Sequence, residues 1–145
     1  MNPTFESPEI AILYEFPGAP CRVAAIATEG DEGYAVVDVG AAGQPYLYGI
    51  AVARRGGGWE AGTDGNGPGW TLTDPARDLG TATAWGEAPE GTVRVRATLA
   101  GDTREVPVAR GVYLVAWWRV PCPAAAEPRV DAFRIGDRWV PASRA

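Results

Sequence analysis

A chain of 145 residues is long enough to bury about 68–70% of its unfolded surface, so a core can form without metal or disulfide staples. A hydrophobic content of 46%, with six Trp and five Tyr, excludes a disordered chain, and the surplus of 19 Gly and 13 Pro belongs to turns. The formal charge of −5 and the single scattering of the 13 basic residues, all arginine, exclude the concentrated basic footprint that nucleic acid requires.

The N-terminal M-N-P-T-F-E-S-P-E has neither a positive n-region nor a long apolar stretch, and no window approaches a membrane span, so a soluble, cytoplasmic protein is expected. Ile10 to Phe16 is an apolar run, broken only by Glu15 and closed by P-G-A-P, the first of many short runs that end on Gly, Pro or Asp. Arg22–Thr28 and Tyr34–Val39 flank the turn E-G-D-E-G and read as a hairpin. Tyr46, Tyr48, Ile50 and Val52 alternate with Leu47, Gly49 and Ala51, and the glycines 56 to 58 turn the chain into Trp59, which gives a second hairpin.

Between Trp59 and Trp70 lies W-E-A-G-T-D-G-N-G-P-G-W. Asp64, Asn66 and Gly69 fit positions one, three and six of a calcium loop, but Pro68 and Pro75 stand where the fifth and twelfth ligands belong, so an EF-hand is rejected. Gly65, Gly67 and Gly69 recur every second residue, which is not the spacing of a dinucleotide cradle. Turn chemistry accounts for the segment as a connector pinned by its two indoles. The functional alternative is a lip over a ligand, with Asp64 and Asn66 as its central side chains.

In T-D-P-A-R-D-L-G, Thr73 or Asp74 as N-cap, Pro75 at the first helical position and Gly80 as terminator predict a single helical turn leading into a strand over Thr81–Trp85. Val93, Val95, Ala97 and Leu99 then alternate with Arg94, Arg96 and Thr98. A tight turn at Gly101–Asp102 would set Val95 against Val108 and Ala97 against Val106, and a second at Arg110–Gly111 would set Val106 against Val115. Trp117 then shares the core face, while Trp118 lies on the other with Arg94 and Arg96, where a guanidinium over its indole would make a cation–π contact. Exposed, that Trp and Arg surface is a binding platform. One internal echo, A-V-A-R-R-G-G-G-W-E-A against A-F-R-I-G-D-R-W-V-P, pairs strand, Gly turn and Trp in both halves.

The string G-x-V-R-V with A-G-D-T, followed by V-P-V-A-R-G-V-Y-L-V-A-W-W, resembles small β domains of uncharacterised proteins from high-GC, actinobacterial-type bacteria, over roughly residues 80–140. That resemblance implies a β fold and no particular activity.

The expected fold is all-β, an antiparallel sandwich or partly closed barrel of eight to ten short strands with at most one short helical turn. It forms a single domain over 1–145, with two packed β halves, about 8–72 and 80–141, as the alternative. Without histidine or lysine, and with Ser7 and Ser143 at the chain ends, nucleophilic triads, Schiff bases and P-loops are excluded. Two distant cysteines, Cys21 and Cys122, do not make a zinc site and are read as buried thiols. No cofactor or metal is expected. The leading expectation is a non-catalytic accessory or inhibitory protein that binds another protein, a basic one given the acidic charge, with no nucleic-acid or membrane partner and with homo-oligomerisation open. The alternative is a small-molecule or glycan-binding module using Trp59, Asp64, Asn66, Trp70, Arg94, Arg96 or Trp118. A carboxylate-dependent hydrolase, needing two acids about 5–9 Å apart, comes third.

Overall fold

The computed structural model describes residues 4–17, 21–40, 44–62, 69–121 and 127–144. The fold is all-β. Among the described residues, eleven strands form three antiparallel sheets, accompanied by one short α-helix. The chain divides into two compact units, Met1–Gly67 and Pro68–Ala145.

The first unit is a meander of β1 (Arg22–Glu29), β2 (Glu32–Asp38), β3 (Leu47–Arg55) and β4 (Gly58–Ala61), paired in that order. Both hairpins expected from the turn residues form, with Glu29 opposite Glu32 and Arg55 opposite Gly58. Ala35, Val37, Ile50, Val52, Trp59 and Ala61 make the core of this unit with Ala11 and Ile12. Those last two belong to a helix, α1 (Pro8–Tyr14), where the apolar run had the look of a strand. A short apolar run carries no decisive period, so its flank decides. Ser7 accepts a hydrogen bond from the Ile10 N–H at 3.2 Å, Pro8 opens the helix where no N–H is needed, and Glu9 sits in the positive first turn. Phe5 and Trp59 exchange backbone hydrogen bonds of 2.7 and 2.6 Å, which fixes the segment before the helix on β4.

The β2–β3 connection is organised by Asp38. One carboxylate oxygen accepts from the Gly40 N–H at 2.9 Å and the Tyr46 N–H at 3.1 Å, and the other from Arg22 at 3.1 Å. The Gly40 N–H chiefly, with Tyr46 and Arg22, outweighs burial and holds this carboxyl below its ordinary pKa.

The second unit is a two-sheet sandwich. One sheet holds β5 (Gly69–Asp74), β6 (Leu79–Glu87) and β9 (Val112–Pro121) in the order β5-β6-β9. The other holds β7 (Thr92–Leu99), β8 (Asp102–Pro107), β10 (Arg129–Ile135) and β11 (Arg138–Pro141) in the order β11-β10-β7-β8. Ala82, Ala84, Val115 and Trp117 from the first sheet pack on Val95, Ala97, Leu99 and Phe133 from the second. The expected helical turn is a 3-10 turn over Pro75–Arg77, but Asp78, at φ 53°, terminates it rather than Gly80. Gly80 stands in β6, where a Cβ would lie 2.5 Å from the Thr71 carbonyl oxygen.

The β7–β8 hairpin turns at Ala100–Gly101, one residue earlier than expected, and pairs Val95 with Val106 and Leu99 with Asp102. Both turn residues have positive φ, 48° and 86°, the type I′ pattern in which glycine favours the second central position. The pairing moves by two residues, so the apolar face is preserved. The next step departs from expectation. Arg110–Gly111 does form a turn, with a bridge between Ala109 and Val112, but β9 then leaves β8 and pairs with β6. Beyond β8, the Val108 N–H donates to Val93. A strand reading V-Y-L-V-A-W-W is apolar on both faces, whereas β8 reads D-T-R-E-V-P; placing β9 in the opposite sheet lets Val115 and Trp117 face Val95 and Phe133 across the core. Arg104 ties the sheets by donating to the Ala116 carbonyl at 2.8 Å, and the Trp117 indole N–H donates to the Asp102 carbonyl at 3.3 Å. Among the described residues, no helix is long and apolar enough to cross a membrane.

Candidate functional site

The alternation that buries Val95, Ala97 and Phe133 necessarily turns the neighbours of those residues outward. On the outer face of the β11-β10-β7-β8 sheet, Trp139, Arg134, Arg94 and Pro107 form one cross-strand row, and Pro141, Ala132, Arg96 and Glu105 form the next. Arg96 lies over the Trp139 ring at 4.1 Å from its centroid. Its Nε and Nη2 both donate to one oxygen of Glu105, at 3.1 and 2.9 Å, while Arg94 Nε lies 3.8 Å from the other oxygen. Arg134 stands directly opposite Arg94, and its Nε is buried without a hydrogen-bond partner. Glu105 thus pairs with both Arg94 and Arg96, while the buried Arg134 Nε has no hydrogen-bond partner.

At the margin of this face, Asp131 accepts from the Thr98 hydroxyl and from Arg129. Burial works against its charge, but the Thr98 hydrogen bond and Arg129 prevail and lower its pKa. The charge of Arg96 adds to the lowering.

Of the residues expected to act, Arg94 and Arg96 lie together on this face. Trp118 does not join them, because β9 runs in the other sheet; it is half-buried there, and the cation–π contact expected with it is made by Trp139 instead. Trp59 is buried in the core of the first unit, with Arg54 4.9 Å over its ring. Asp64 and Asn66 lie outside the described residues, as does Cys122. Trp70 occupies β5 opposite Ala82, and its side chain lies outside the described residues. Cys21 is half-buried, and burial, with the charge of Asp38, raises its thiol pKa.

Arg134 and Trp139 were legible as a pair, because a two-residue turn at Gly136–Asp137 sets them opposite each other. The same arithmetic sets Arg54 opposite Trp59 across Gly56–Gly57, which is the physical content of the internal echo. Glu105 was hidden by the expected register, which displaced β8 by two residues.

A separate concavity of ≈ 240 Å³ lies among Thr83, Trp85, Tyr113, Glu127 and Val130 of the second unit. Burial raises the Tyr113 hydroxyl pKa there. Its lining supplies one carboxylate, Glu127, where glycoside hydrolysis uses two. Among the described residues, no group of three or more Cys, Asp or Glu converges as a metal site would. No family model matches the chain, and no curated protein or solved structure matches it.

Proposed function

We propose that this chain is a non-catalytic binding protein that receives an acidic segment of another protein on the outer face of its β11-β10-β7-β8 sheet. The observation that carries this reading is the cross-strand pairing of Arg94 with Arg134. Like charges directly opposite each other destabilise a sheet by about 0.2–1 kcal/mol, and here one of them also buries an unsatisfied Nε. A partner bearing carboxylates supplies the missing counter-charge. Each guanidinium offers a planar fork that pairs two oxygens at once. A neutral sugar ring would have to displace Arg96 from Trp139 before stacking, which favours the acidic partner over a glycan.

The test is fluorescence anisotropy with a short labelled poly-glutamate peptide. Binding in the range of about 10–100 μM is expected at low salt, weakening as salt screens the charges. Arg94→Glu raises Kd at least about tenfold, whereas Arg129→Gln, at the margin, changes it less than about threefold. Equal binding by Arg94→Glu and the parent chain, or no binding at about 1 mM peptide, would overturn the assignment.

A further inference from the structure

We infer that α1 is a second docking surface, for a basic amphipathic helix of another protein, independent of the arginine face. The helix is apolar on both sides. Ala11 and Ile12 are buried in the core of the first unit, while Ile10, Leu13 and Tyr14 are 45%, 43% and 56% exposed. Their i, i+3, i+4 spacing puts all three on one side of the helix. Three of the seven exposed large apolar side chains among the described residues thus fall within one seven-residue helix, while the other four are spread over Ile26, Tyr46, Leu72 and Val93.

The surface is held in shape before any partner arrives. The Tyr14 ring packs on Phe5 with centroids 4.9 Å apart and planes tilted by 43°, and Phe5 is hydrogen-bonded in both directions to β4. Ser7 secures the first turn. A partner helix therefore meets an ordered stripe and bears less ordering entropy on docking.

Charge selects the occupant. The first twenty residues carry Glu6, Glu9 and Glu15 and no basic residue, and all three glutamates are exposed. The first unit as a whole holds nine carboxylates against three arginines, a net −6. An apolar stripe rimmed by carboxylates repels an anionic lipid surface, and it repels a second copy presenting the same stripe. It complements a helix with two or three large apolar anchors flanked by lysine or arginine, laid against α1 in the helix-packing mode.

The experiment titrates the full chain with two labelled helical peptides of identical leucine pattern, one flanked by lysine and one by glutamate. The lysine peptide is expected to bind in the range of about 10–100 μM and the glutamate peptide to show no binding. Leu13→Asp weakens the lysine peptide at least about tenfold while lowering the melting midpoint by only a few degrees, because the position is 43% exposed. Combined Glu6→Gln and Glu15→Gln weakens it about threefold and flattens its salt dependence. Arg94→Glu leaves it unaltered, which separates this surface from the arginine face. The inference is overturned if both peptides bind alike, if neither binds, or if Leu13→Asp binds as the parent does. It is equally overturned if the parent dimerises in sedimentation and Leu13→Asp restores the monomer, since the occupant is then a second copy.

Discussion

At the residue scale, Arg134 bears the sharpest conflict between folding and binding. It stands opposite Arg94 in the register and leaves its Nε unsatisfied, so Arg134→Thr, which keeps a strand-compatible side chain, is expected to raise stability by about 0.5–1 kcal/mol. The same substitution weakens poly-glutamate binding; urea unfolding and anisotropy on one preparation check both halves. Ala100 carries a different strain, a left-handed φ of 48° without a side chain suited to it. Ala100→Asn should stabilise the β7–β8 hairpin by roughly 0.5–1 kcal/mol, because Asn-Gly is the favoured type I′ pair. Asp38→Ala should cost about 2 kcal/mol at neutral pH, as two backbone N–H groups lose a charged acceptor. The folded pKa of Asp38 lies below its unfolded value of about 3.9, so its contribution is complete above that pH and disappears as pH falls through the folded value. The variant's acid denaturation profile should accordingly be shallower. Alternation alone revealed that Arg94 and Arg96 share a face, whereas the neighbours of that pair depended on a register set by one turn residue.

At the element scale, the strands were legible wherever a turn marked their ends, as at Gly30–Asp31 and Gly56–Gly57. The helix was missed because its apolar run was read without its flank, although Ser7, Pro8 and Glu9 together specify a helix start. Ser7→Ala should lower the stability of α1 by about 1 kcal/mol, seen as faster amide exchange confined to that helix. The placement of β9 was not legible, because a local rule that joins consecutive strands competes with the tertiary demand to cover two apolar faces. What stabilises the sheet change is specific: Arg104 bonds the Ala116 carbonyl and lies 5.9 Å from the Trp117 ring. Arg104→Ala should therefore cost about 1–2 kcal/mol, measured by the midpoint of thermal unfolding, with little share from its exposed pairing to Asp102.

At the scale of the whole molecule, the formal charge conceals two unlike units. The first carries nine carboxylates and three arginines, and the second nine carboxylates and ten arginines, so Met1–Gly67 is at −6 and the second unit at +1. Reading the average charge directed attention to a basic partner; our proposals place that partner on α1 and an acidic one on Arg94, Arg96 and Arg134. Because the two surfaces stand on separate cores, Leu13→Asp and Arg94→Glu should each abolish one binding activity alone, and the double variant both, without synergy in a double-mutant cycle. Strand β9 adds a consequence for biosynthesis. Its window V-Y-L-V-A-W-W has no charge and no proline, and until the second sheet assembles it is suited to intermolecular cross-β stacking. Arg110 and Arg119 stand at its two ends as charged gatekeepers. Neutralising both should divert newly made chains into inclusion bodies, a role exercised before the interactions these arginines make in the folded chain have formed.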